Sequence, residues 1–213
     1  MLNDEELPCG GAAPSLEGQM RPQSLIAQGL PVVVAGAVLL AGCESSNPPP
    51  EPQSIEAAQS AIRFEHEDFD PQRAEYLLHH DPRSGNDVYV AQFVGDAAFA
   101  TLAAYKTGPG YVVEERSTQS YVQSLLQDSE LTWGESGRAD TGTGASGVPY
   151  RMFGIAGQPV SCVGFGQPRG ESSDDRGRKS DLLFGFFCQS DARPMSSATA
   201  SDLIGRVSLS RRR

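Results

Sequence analysis

The sequence predicts an α+β domain: an antiparallel sheet built around one hairpin, with helices packed on one face. Two observations carry this. Residues 160–166 (VSCVGFG) and 182–189 (LLFGFFCQ) are apolar, rich in aromatic and β-branched side chains, and separated by a charged, glycine-bearing segment at 170–179. Elsewhere, Ser or Asp stands in front of apolar residues at helical spacing, the pattern of a capped helix.

Residues 54–213 are expected to form this one domain. Ser54 can cap a helix to about residue 64, with Ile55, Ala58 and Ile62 on one face. Asp70-Pro71 is a second start signal, for a helix that ends near His79, before Pro82. Residues 87–94 (DVYVAQFV) read as a strand, with Val88 and Val90 opposed to Tyr89 and Phe93. The alanines of 96–106 behind Asp96 favour a helix; a hairpin turn at Gly95-Asp96 into a strand is the alternative. Residues 111–114 are a short strand candidate. Ser117 caps a helix to about residue 127, striped by Tyr121, Val122, Leu125 and Leu126. Residues 134–147 read as a Gly/Ser/Thr loop. Within it, residues 142–147 have the spacing of a dinucleotide-binding turn. That motif works only between a strand and a helix; here a polar loop precedes it and a strand at 150–153 follows. Ser197 caps a last helix, with Ala200, Leu203, Ile204 and Val207 towards the sheet.

The front of the chain has a different character. Residues 31–41 (PVVVAGAVLLA) are uncharged, end in Leu40-Ala41-Gly42-Cys43, and give way to the polar, proline-rich 44–53 (ESSNPPPEPQ). This resembles the lipobox of a bacterial lipoprotein. The resemblance implies that Cys43 is the lipid attachment site, that the peptide before it is removed, and that the domain hangs from the membrane by lipid. A cysteine sulfur is a suitable nucleophile for that acylation. The apolar stretch 25–41 is interrupted by Gln28, Gly29 and Pro31 and is shorter than the roughly 20 residues of a membrane span. Residues 1–19 hold Asp4, Glu5, Glu6 and Glu17 and no Lys or Arg, whereas a signal peptide opens with positive charge. Residues 20–42, beginning Met20-Arg21, have the expected shape. Translation is therefore expected to start at Met20, with 1–19 a misassigned extension that would remove Cys9. Residues 43–53 then form a tether extending about 3.1 Å per residue. The position after Cys43 is Glu44 rather than Asp, which points to the outer membrane.

With Cys43 lipidated in an oxidising periplasm, Cys162 and Cys188 remain as a disulfide pair. Pairing them across antiparallel strands sets Gly164 opposite Phe186, Gly166 opposite Phe184, and Gly185 opposite Phe165. A ring lying over a cross-strand glycine would cover backbone and hold this register.

The formal net charge of −10 excludes the phosphate-neutralising surface of a nucleic-acid binder. The terminal Arg211-Arg212-Arg213 reads as a solvated end. Candidate chemistry is sparse. His66 sits in a charge run, and His79 and His80 are adjacent, without a His-Glu-x-x-His pattern. Asp174 and Asp175 are flanked by Arg176, Arg178 and Lys179 and lack calcium-loop spacing. No Gly-x-Ser-x-Gly elbow occurs. No catalytic residue, metal or cofactor is expected. Trp133 with Leu131 is expected in the core; the functional alternative for Trp133 is stacking on carbohydrate. The expected function is a non-enzymatic envelope lipoprotein, facing the periplasm, that binds another envelope protein or a cell-wall component. The alternative is a small periplasmic hydrolase. A deep pocket lined by ionisable groups would favour the hydrolase, and a shallow aromatic patch the binding module.

Overall fold

The computed structural model describes residues 51–82, 84–108, 111–141, 147–172, 179–190 and 194–210. The signal segment, Cys43, most of the tether, the glycine motif at 142–146, Asp174, Asp175 and the terminal arginines lie outside the described residues. In chain order the strands are β1 (Gln53–Ser54), β2 (Ile62–Arg63), β3 (Glu75–Asp81), β4 (Asn86–Val94) and β5 (Ala98–Lys106). Helix α1 (Thr118–Leu125) follows, then β6 (Leu131–Ala139), β7 (Val148–Ile155), β8 (Val160–Ser172) and β9 (Lys179–Ser190). The last described elements are helix α2 (Ser197–Gly205) and β10 (Ser208–Leu209).

Two antiparallel meanders, β3–β4–β5 and β6–β7–β8–β9, join edge to edge where β5 pairs with β9. With β1 on the outer edge of β3, they make one sheet in the order β1-β3-β4-β5-β9-β8-β7-β6. β10 and β2 form a separate two-stranded ribbon. The chain must travel from β5, in the middle, to β6, at the far edge. That crossing carries α1 over one face of the sheet.

The fold is mostly β, which corrects the expected α+β arrangement with helices on one face. The two α-helices among the described residues lie on opposite faces. Strand side chains alternate with period two, so the two faces can be sorted by residue parity. On β8, Val163 and Phe165 share a core with Ala200, Leu203 and Ile204 of α2. Cys162 shares the other core with Val122 of α1. The α2 face is also covered by the ribbon and the segment after it. Phe64 packs 5.0 Å from Phe93 and 5.1 Å from Phe187, ring centre to ring centre. The small Ala98, Ala100 and Ala104 of β5 lie in the same core.

Each element that departs from expectation has a local cause. The helix expected at 54–64 is replaced by β1, a turn and β2. Arg63 donates from its guanidinium to the carbonyls of Ala57 and Ala58, at 3.1 and 3.2 Å, holding that turn shut. Asp70 does act as a cap, accepting from Gln72 N at 2.8 Å. It closes only the single 3-10 turn Pro71–Arg73 before pairing with β4 draws the chain into β3. At 96–106 the hairpin alternative holds: Gly95 N donates to Ala98 O at 2.8 Å and β5 follows. β5 is central and buried on both faces, so its sequence does not alternate and reads as helix. Residues 134–139, expected as loop, complete β6 after a register shift between Trp133 and Ser136. Residues 111–114 form no strand, although Val113 N donates to Lys179 O at 3.0 Å. The α1 cap is Ser117, as expected, and the α2 cap is Ser196 rather than Ser197.

Register also lines up His80, Asp87, Lys106, Asp181 and Arg169 across β3, β4, β5, β9 and β8. Acids alternate with bases along this row. His80 Nδ1 lies 2.6 Å from Asp87 Oδ1. The buried Lys106 donates from Nζ to Ser210 O at 3.0 Å, tying the chain end to the row.

Candidate functional site

The site is built outward from the hairpin of β8 and β9. Cys162 and Cys188 form a disulfide with a Cα separation of 4.1 Å. That is slightly below the usual span of about 4.4–6.8 Å and close to the short spacing of a non-hydrogen-bonded antiparallel pair. The register is the expected one: Gly164 faces Phe186, Phe165 faces Gly185, and Gly166 faces Phe184. The reason for two of the glycines differs from expectation. Phe186 does not lie over Gly164 alone; its ring packs edge-on against Phe153 and Phe99, at 6.1 and 6.2 Å. Gly164 and Gly166 instead leave a bare track in which α1 sits. A Cβ on Gly164 would collide with Val122 Cγ2, and one on Gly166 with the ring of Tyr121.

The sequence of α1 suits this seat. Ser117 Oγ accepts from Ser120 N at 3.2 Å and starts the helix. Tyr121 and Val122 are buried against the sheet. The Tyr121 hydroxyl accepts from Arg116 N at 2.8 Å and donates to Glu114 O at 3.2 Å, pinning the segment that leads into the helix. Burial pushes the Tyr121 phenol above its ordinary value, with the Arg116 backbone N–H pulling the other way. It therefore stays a neutral donor through the physiological range.

The outward face of α1 forms one wall of an open groove of about 510 Å³, and Trp133 of β6 forms the other. The helix supplies Gln119, Ser120, Gln123, Ser124 and, just past its end, Gln127. None of these six side chains carries a charge. Gln123 Nε2 donates to Leu126 O and Ser129 O, both at 3.3 Å, so its amide is fixed and Oε1 remains an oriented acceptor. Trp133 is half-buried, and it packs with Leu131 onto the disulfide core as expected. Its ring rests 5.3 Å from Phe153, and the Arg151 guanidinium lies 5.9 Å from the ring centre. Arg151 Nε is itself held by Gly134 O at 3.3 Å. Among the described residues Trp133 Nε1 has no hydrogen-bond partner, and no buried polar side-chain atom lacks one, so the indole N–H opens to solvent.

No family model, no curated protein and no solved structure matches the chain.

The other sequence-predicted residues scatter. Cys43 lies outside the described residues. His79 and His80 are strand neighbours on β3 and point to opposite faces of the sheet. His66 is not in a solvated charge run. Its side chain is 9% exposed, lies between Phe64 and Phe69, and places Nε2 3.3 Å from Asp202 Oδ2 of α2. Asp68 N donates to His66 Nδ1 at 3.2 Å. Among the described residues no group of three or more His, Cys, Asp or Glu is placed to hold a metal ion. A second recess, of about 160 Å³, gathers Glu67, Asp68 and Asp96. Ligand pockets begin at about 300 Å³. Moreover, Gln189 Nε2 donates to Asp68 at 3.3 Å, and Asp96 faces Arg73 at 3.4 Å. The α1–Trp133 groove is what residue-by-residue reading missed. The signal available was the run of Gln and Ser on the outer face of a capped helix, followed within ten residues by the single tryptophan.

Proposed function

We propose that this chain is a membrane-anchored envelope lipoprotein whose folded domain binds another envelope component without catalysis. Leu40-Ala41-Gly42-Cys43 supports the anchor, and the Cys162–Cys188 disulfide supports an oxidising compartment. The observation that carries binding over hydrolysis is the α1–Trp133 groove. It is open and shallow, and its lining side chains are uncharged, with no carboxylate or imidazole among them. Three carboxylates sit around the smaller recess, and two of them, Asp68 and Asp96, are engaged with Gln189 and Arg73.

The anchor has a direct test. Cys43→Ala is expected to abolish incorporation of a palmitate analogue and to leave the precursor uncleaved. Undiminished label on that variant would exclude Cys43 as the acceptor. Binding is tested by recovering partners of the intact protein from envelope extract, with Gln123→Ala as the groove variant.

A further inference from the structure

We infer that the groove between α1 and Trp133 binds an uncharged glycan chain. The inference rests on the binding-module reading above and names its ligand class. Three features point to a sugar.

The first is the lining. A neutral saccharide presents hydroxyl groups that both donate and accept, together with a ring face of C–H groups. Amides and hydroxyls answer the former, and an indole answers the latter. The groove offers just these groups: amide and hydroxyl side chains along one wall and Trp133 on the other.

The second is that the polar atoms are held in place. The Gln123 amide is fixed by two backbone carbonyls, and Ser124 Oγ donates to Tyr121 O at 2.7 Å. Gln127 Nε2 donates to Ser124 O at 3.3 Å. The ring of Trp133 is backed by Phe153 and bracketed by Arg151, while its N–H faces solvent. Holding the donors and acceptors before binding removes the cost of ordering them. Six residues of helix rise separate Gln119 from Leu125, about 9 Å along the axis, and Gln127 lies just beyond the helix end. That length suits a short stretch of an extended polymer rather than a single small molecule.

The third is charge. Residues 43–213, which remain once the signal is removed, hold 23 acids against 16 Lys and Arg, a formal −7, and the helical wall brings no cation; Arg151 flanks the Trp133 wall, with Nε held by Gly134 O. Anionic glycans would meet an unfavourable field with nothing on that wall to offset it. A protein partner is the other macromolecule such a face could meet. However, Trp133 is the single large anchor in the lining, and the helical wall of glutamine and serine adds none of the further apolar anchors that cluster in protein–protein hot spots.

Trp133 is the only tryptophan in the chain, so intrinsic fluorescence reads the site directly. The intact protein, purified in detergent, is titrated with chitotriose and maltotriose as neutral probes. Sulfated chitotriose serves as the charged comparison. The expected result is a saturable shift in tryptophan emission with a neutral probe and none with the sulfated one. Gln123→Ala, on the solvent side of α1, should weaken that binding by about tenfold, the scale of one lost hydrogen bond. Trp133→Phe should weaken it similarly when followed through the α1 amide resonances, and the circular dichroism of both variants should be unchanged. Silence of emission and α1 resonances with both neutral probes overturns the glycan inference. So does neutral-glycan binding that is indifferent to Gln123→Ala and Trp133→Phe. If glycans are silent but Gln123→Ala abolishes recovery of an envelope protein, the glycan inference falls and the binding-module reading stands.

Discussion

Gly164→Val is expected to unseat α1 and to destabilise the domain at the upper end of the roughly 1–3 kcal/mol typical of overpacking. The collision is with Val122 Cγ2, and Phe153 Cε1 lies 3.4 Å from the same added atom. Val122 is wholly buried and β-branched, so it has no alternative rotamer to swing into. Gly166→Val should cost less, because the obstructing atoms belong to the Tyr121 ring, which can tilt about its side-chain bonds. Gly154→Ala is the control. It is on the neighbouring strand β7, and the nearest atom to its added Cβ, Val160 O, is 4.0 Å away, so the folded structure accommodates the methyl group. The urea midpoint should fall in the order Gly164→Val, Gly166→Val, Gly154→Ala, with the last closest to the parent. The Gly164→Val protein should also lose the groove, because α1 is one wall of it. An unchanged midpoint for Gly164→Val would mean that α1 does not rest on this track.

How far the sequence reveals this structure depends on where each signal resides. The β8–β9 register was legible because two cysteines and three glycine–phenylalanine oppositions fall into place together in one alignment. The helices were legible where a serine hydroxyl meets a free N–H within its own turn, as at Ser117. Even there the sequence misassigned what the glycines face, because the occupant of the track comes from the crossing between the two meanders. β5 was read as helix for a related reason. Its covering layers, α1 and its leading segment on one side and the ribbon on the other, come from distant parts of the chain. A strand buried by both shows no alternation. β3 followed a genuine Asp70 cap that the local sequence could not show to be cut short. His66 looked solvated because its enclosure by Phe64 and Phe69 and its partner Asp202 depend on how the chain end folds back. The His80-to-Arg169 charge row and the α1–Trp133 groove belong to the same class. Each is a property of neighbouring strands or of a helix over a sheet, and neither exists until register is fixed.

Replacing both Cys162 and Cys188 by alanine is expected to cost about 2–5 kcal/mol, the range for a native disulfide in a small secreted domain. The cysteines are 26 residues apart, for which restriction of the unfolded chain alone accounts for about 3.5 kcal/mol. Both residues are fully buried beneath Val122 and Phe186, so removing the sulfurs also leaves unfilled space in the α1 core. The same burial keeps reductant away while the protein is folded. Dithiothreitol should therefore act slowly in buffer and quickly once urea opens the sheet. The two destabilised proteins should then differ in kind. The Gly164→Val variant is altered in its folded state, and its near-ultraviolet spectrum and α1 resonances should change. The double alanine variant keeps the β8–β9 ladder, and its loss falls mainly on the unfolded side of the equilibrium. Its folded spectrum should stay close to the parent, and its groove should still bind what the parent binds, while its urea midpoint drops. A midpoint unchanged by both the double substitution and reduction would show that strand pairing alone holds the centre of the sheet.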